Sequence, residues 1–237
     1  MPCSVGGDRS HRRISARRTR CQYGREREIA TLLEAFDRVL THGKSELVLV
    51  TGHSGIGKSS VVNELHKAIV LPCGIFISGK FDLRLKDIPY STLAQAFQGL
   101  IRQVLSGGEE DIGRWRNAIR EAVGNHAGVL TDLIPELVRL IGPQAPVAAL
   151  SPTETTLRFQ LVFQRFVSVF ARPEHPFIIF IDDLQWLDPA TLTLVQYLIT
   201  HRSRAICCSL ALTATTRWDQ STRSRSRWPL FVRPIPP

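Results

Sequence analysis

The stretch GHSGIGKS, Gly52 to Ser59, meets the pattern G-x-x-x-x-G-K-[ST], whose residue types at that spacing hold phosphate. Gly52, Gly55 and Gly57 let the backbone wrap round an anion with successive N–H groups pointing inward. A helix opening near Lys58 adds its positive end to the same place. Lys58 can reach β- and γ-phosphates, and the Ser59 hydroxyl supplies one oxygen to Mg²⁺. His53, Ser54 and Ile56 complete the loop, and Ser60 follows it, so all nine residues from Gly52 to Ser60 are candidate nucleotide contacts. The bland alternative is a glycine-rich turn with an incidental Lys-Ser.

A second constellation is FIIFIDDLQWLD, Phe177 to Asp188. An apolar strand ending in acids carries Asp182 to the carboxyl edge of a sheet, where open α/β folds bind ligands. There Asp182 is a candidate for the Mg²⁺ shell, as a Walker-B acid is, and Asp183 is placed to orient or deprotonate an attacking water. Alone such a run is more often a plain strand end; downstream of a phosphate loop it gains meaning. A third element, LALTATTR (Leu210 to Arg217), puts Arg217 at the tip of a strand, where a cation could report the γ-phosphate. The competing reading of Arg217 is the first residue of an Arg/Ser tail.

These residues need a scaffold to bring them together. Ile29, Leu32, Leu33, Phe36, Val39 and Leu40 recur at helical spacing, which predicts an amphipathic helix over 26–41 ending near Gly43. ELVLVT (Glu46 to Thr51) reads as a buried strand. A helix from Lys58 to about Val70 and a strand through Gly74 to Lys80 follow. Helices are expected over Tyr90 to Leu105, Asp111 to Val123 and, despite Pro135, Leu130 to Ile141. Gly142 to Pro152 is a loop, Thr153 to Ala171 a strong helix, Phe177 to Asp182 a strand, Pro189 to Thr200 a helix and Ala205 to Thr213 a strand. Alternating strands and helices predict an α/β fold, a mostly parallel sheet covered on both faces.

Composition sets the class. The chain has 237 residues, of which 43% are hydrophobic and 22% charged, as in soluble globular proteins. No apolar run has the roughly 18 to 20 residues of a membrane span. The net charge of +9 resides in the ends: Met1 to Gln22 carries six Arg against one Asp, and Arg217 to Pro237 five Arg against Asp219. Between Tyr23 and Thr216 the charges cancel, so the folded part shows no nucleic-acid signature. Residues 1–22 are expected to be a disordered basic tail. Residues 218–237, with alternating Arg and Ser and then prolines, are expected to be irregular. The five cysteines (Cys3, Cys21, Cys73, Cys207, Cys208) form no C-x-x-C pair, and reduced thiols in the cytoplasm fit them.

The phosphate loop, the acid strand D-D-x-Q-W-x-D (Asp182 to Asp188) and YGRERE (Tyr23 to Glu28) together resemble the AAA-type (AAA+) P-loop ATPase modules of the STAND class. GKFD (Gly79 to Asp82) with PYSTLAQAF (Pro89 to Phe97) is similar to the ATPase segment of large hybrid signalling kinases, between their protein-kinase and sensor-histidine-kinase parts. The resemblance covers about residues 23–216 and implies a three-layer P-loop NTPase domain over 23–217. It implies ATP with Mg²⁺ as the ligand and kinase or sensor domains as partners in longer relatives; the lack of a long apolar run speaks against a membrane, and the confinement of charge to the ends against nucleic acid as the main partner. It also makes Tyr23, Gly24 and Arg25 candidate contacts on the adenine side. In this family a further strand and a helical lid follow the sensor strand. Residues 218–237 match neither, which implies a truncated module with weak or slow hydrolysis. Two alternatives stand beside the regulatory ATPase: an origin-recognition-like AAA+ ATPase acting on DNA, and an inert nucleotide-binding remnant.

Overall fold

The structure is a computed structural model that describes residues 26–43, 45–51, 60–61, 66, 74–85, 87–148, 150–172, 177–200, 209–215 and 232–234. Helix α1 (Glu26–His42) buries Ile29, Leu32, Ala35, Phe36 and Val39 along one face. It ends where Gly43 turns left-handed (φ 59°) and its N–H returns to the Val39 carbonyl at 2.9 Å. Strands β1 (Glu46–Thr51), β2 (Ile75–Lys80), β3 (Phe177–Asp182), β4 (Ser209–Thr215) and β5 (Val232–Pro234) form one sheet in the order β2-β3-β4-β1-β5. Every pairing is parallel.

β5 corrects one expectation. It lies within the segment 218–237, expected to be irregular, and pairs with the far side of β1 from Leu49↔Val232 to Thr51↔Pro234. An edge position tolerates a proline-ended strand, because one side of its backbone needs no ladder partner. Chain composition alone hid a three-residue edge strand.

Two apolar clusters sandwich the sheet, giving three layers. One face carries Val50, Ile178 and Phe180 against Ile29, Leu32 and Phe36 of α1 and against Val61. The opposite face, with Leu47, Leu49, Ile77, Phe177, Ile179 and Ile181, is covered by the helices between β2 and β3 and by the helix after β3. The former are α2 (Ser91–Leu105), α3 (Glu109–Val123), α4 (Gly128–Leu133), α5 (Glu136–Ile141) and α6 (Pro152–Phe170); the latter is α7 (Pro189–Thr200). Alternation along β1 and β3 follows the period of two that a doubly covered strand requires.

The helix expected over Leu130 to Ile141 is in fact two. α4 stops at Leu133, Ile134 is non-helical (φ −124°, ψ 81°), and Pro135 stands immediately before α5. Proline cannot donate into the helical ladder and pushes its predecessor out of the α region, so it starts the second helix and ends the first. Two arginines one turn apart on α3 close the far end of α5: Arg116 Nε donates to the Leu140 carbonyl at 2.7 Å and Arg120 Nη2 to the Ile141 carbonyl at 2.5 Å. Their charges also suit the negative end of that helix.

α6 is set by a full capping box. The Ser151 hydroxyl accepts from the Glu154 N–H, the Glu154 carboxylate accepts from the Ser151 N–H, and Pro152 opens the helix. The two Ser151 hydrogen bonds, side chain first, hold the Glu154 carboxyl below its ordinary range. Downstream, Phe163, Phe166 and Phe170 are fully buried with Phe97 of α2 and Phe177 of β3. Edge-to-face contacts at 5.2 Å (Phe97–Phe163) and 5.3 Å (Phe166–Phe170) order this cluster. It fixes the helical layer on the sheet. No helix among the described residues is long and apolar enough to cross a membrane.

Candidate active site at the carboxyl edge of the sheet

Parallel strands deliver their C-terminal residues to one edge. β1 ends there at Thr51, just before the phosphate-loop motif, and the chain is helical again at Ser60 and Val61. Ser60 is half-buried, and Val61 is sunk in the cluster under α1. Asp182 ends β3 in register with Lys80 of β2 on one side and Ala214 of β4 on the other, and Ala214 is in register with Val50 of β1. Asp182 is thus two strand spacings, about 10 Å, from the strand that leads into the loop.

Asp183 is the next residue and adopts a left-handed backbone (φ 61°, ψ 44°). Its N–H donates to Asp182 Oδ1 at 3.1 Å, and both side chains are half-exposed at the edge. A left-handed residue reverses the chain at once, so β3 breaks directly after Asp182 and passes into a single 3₁₀ turn, Leu184–Trp186. Buried Leu184 and Leu187 nail that turn to the core.

Asp188 closes the turn, and its carboxylate caps α7. Oδ1 accepts from the Thr191 N–H at 2.8 Å, and Oδ2 accepts from the Thr191 hydroxyl at 2.5 Å. Oδ2 also accepts from the Tyr90 N–H at 3.3 Å, which links the turn to the start of α2. Burial, and then the charge of Asp188, raise the Tyr90 phenol above its ordinary 10.0. The Tyr90 ring packs on Phe159 of α6 with centroids 4.5 Å apart.

The structure therefore sets Asp182 and Asp183 at the same sheet edge as the end of β1, while Ser60 is placed only by its helical backbone beyond the loop. The other candidates, Gly52 to Ser59 (with Lys58), Tyr23, Gly24, Arg25 and Arg217, lie outside the described residues. β4, whose tip leads to Arg217, ends at Thr215 in register with Thr51. Three residues of the edge, quoted above only as parts of motifs, have structural roles that went unassigned in the sequence. Asp188 was legible, since D-P-A-T (Asp188 to Thr191) has a capping acid, a proline at the first helical position and a threonine at the third. Gly79 was not: a Cβ there would stand 2.3 Å from the Thr92 carbonyl oxygen, so glycine lets α2 lie directly on β2. Nor was Trp186, 61% exposed beside the acids and stacked on Phe81 at 6.4 Å.

A parallel sheet in this strand order, with a helix on the loop side and an acid at the end of the third strand, defines the P-loop NTPase fold. The chain belongs to the AAA ATPase domain family, whose family model matches residues 22–212. It is 33% identical over 177 residues to hybrid signal transduction histidine kinase G of Dictyostelium discoideum, a match that covers 75% of this chain and 5% of that protein. It is 27% identical over 155 residues to histidine protein kinase 1 of Candida albicans, covering 60% of this chain and 6% of that one. The chain thus spans a small fraction of the length of these relatives. Among solved structures it is similar to Cdc6p from Pyrobaculum aerophilum, with a TM-score of 0.47 and 12% identity, over 83% of this chain and 40% of that one. AAA ATPase domains as a family bind ATP with Mg²⁺.

Proposed function

We propose that residues 23–217 form a STAND-type module that binds Mg-ATP and acts as a cytoplasmic, nucleotide-dependent switch in signal transduction, with slow hydrolysis. The observation that carries this reading is the register Asp182↔Ala214, Val50↔Ala214. It supports a site in which the acid strand faces the loop strand across β4. The half-exposed carboxylates at the sheet edge suit a hard cation, which prefers oxygen donors.

In this reading Gly52 to Ser60 hold the phosphates with backbone N–H groups, and Lys58 neutralises the β- and γ-oxygens. Ser59 and Asp182 hold Mg²⁺, which when bound spreads the charge of the triphosphate. Asp183 orients the attacking water and takes its proton. Arg217 contacts the γ-phosphate end, and Tyr23, Gly24 and Arg25 border the base. The role in signalling is supported by the two histidine-kinase relatives, and kinase or sensor domains are the partners it implies. Isothermal titration of residues 1–237 with ATP, with and without Mg²⁺, tests the reading. Parent protein should bind in a Mg²⁺-dependent manner and Lys58→Ala should lose measurable affinity while keeping its far-UV circular dichroism. Equal affinity in both proteins sinks it, and salt-dependent DNA binding in place of ATP binding would turn the assignment towards a DNA-acting ATPase.

A further inference from the structure

Among the described residues, two that are not glycine have positive φ: Tyr90 (φ 63°, ψ 7°) and Asp183 (φ 61°, ψ 44°). A Cβ makes this region costly, and such outliers persist where the surroundings hold them. The two segments are joined by one carboxylate. Asp188 closes the turn that begins at Asp183, and its Oδ2 accepts from the Tyr90 N–H. Tyr90 stands at the N-cap position of α2, where its own side chain makes no capping hydrogen bond. The positive ends of α2 and α7 therefore converge on Asp188. Through Tyr90 and Phe159 the same junction reaches α6, so the contact runs from the acid-strand turn into two of the three long helices of the layer 91–170, α2 and α6.

The geometry points to Asp188 as a positioning residue that ties the Asp183 turn to the start of α2, so that the nucleotide state at Asp182–Asp183 is passed to the helical layer 91–170. This rests on the Mg-ATP reading above. The asymmetry of the junction permits a clean test. In Asp188→Asn the single remaining acceptor oxygen can keep the Thr191 N–H and preserve the cap, but an NH₂ then faces the Tyr90 N–H, donor to donor. Asp188→Ser gives a second capping residue too short to reach Tyr90. Thr191→Val removes the hydroxyl alone and leaves the Tyr90 bond in place.

The experiment is amide hydrogen exchange on the full chain with Mg-ADP and with Mg²⁺ plus a non-hydrolysable ATP analogue, alongside titration of nucleotide affinity. In the parent and in Thr191→Val, exchange in the first turns of α2 should differ between the two nucleotides by about tenfold, within the range of ordinary allosteric coupling. In Asp188→Asn and Asp188→Ser that difference should fall below about twofold, with nucleotide affinity within about threefold of the parent. A parent that binds nucleotide while α2 stays silent overturns the coupling and leaves the Mg-ATP reading intact. So does an undiminished difference in both Asp188 variants. A parent that binds no nucleotide overturns the reading, and the coupling with it.

Discussion

At the residue scale, the left-handed backbone of Asp183 decides how its chemistry can be probed. Asn tolerates this conformation nearly as well as Asp, whereas Ala placed there costs roughly 1–2 kcal/mol. Asp183→Asn should therefore keep the fold and the nucleotide affinity while turnover falls about 100-fold or more, since an amide hydrogen-bonds but is a poor base. Phosphate release under single-turnover conditions reads this, and equal rates would remove Asp183 from the chemistry. Asp182→Asn should instead weaken the Mg²⁺ dependence of binding. Tyr90 allows a pH test of the neighbouring junction. Its folded-state pKa is raised, so its contribution to stability is complete below the ordinary value of 10.0 and is lost as the pH rises towards the folded value. Tyr90→Phe should flatten the loss of thermal stability above pH 10 without changing the profile near neutrality, because the bond to Asp188 is made by the backbone. A parent and variant with superimposable alkaline profiles would contradict the burial of the phenol and, with it, its proximity to the Asp188 charge.

At the element scale, β2 and α2 meet at Gly79, where an added Cβ would lie 2.3 Å from a backbone oxygen of the helix. Backbone cannot swing aside as a flexible side chain can, so Gly79→Ala should cost about 1–3 kcal/mol and shift the urea midpoint accordingly. An unchanged midpoint would mean that α2 is free to slide on β2. Elements such as α1, β1 and β3 were legible in the sequence, because each presents a period of 3.6 or an unbroken apolar run with an explicit stop. Asp182 and Asp183 were legible for the same reason: the apolar strand FIIFI can end in only one place. Other features depend on tertiary fit and leave no local pattern. The left-handed turn at Tyr90, the approach at Gly79 and the Arg116 and Arg120 caps on α5 each need a partner distant in sequence. The break at Pro135 was in plain view, but the apolar positions on either side, Leu130, Leu137 and Ile141, continue a helical period across it and masked it.

At the scale of the whole molecule, the sheet places the phosphate-loop strand inside rather than at an edge. β1 is flanked by β4 along its full length and by β5 over Leu49 to Thr51, the residues nearest the loop. Leu49 is 3% exposed and Val50 5%, so an apolar strand end depends on cover at the point where the site begins. Deleting residues 232–237 would strip one side of that end and create an unprotected apolar edge, the kind of template that recruits other chains. With each ladder hydrogen bond worth about 0.5–1.5 kcal/mol, loss of this short strand should cost about 1–3 kcal/mol. For a domain of this size that corresponds to a fall in Tm of roughly 2–4 °C per kcal/mol. Light scattering of the truncated protein should rise with concentration where the parent stays monodisperse, and ATP affinity should fall with it, since Thr51 opens directly into the loop. A truncated protein with the parent's Tm, scattering and affinity would show that β5 is dispensable and that β1 is protected by other means.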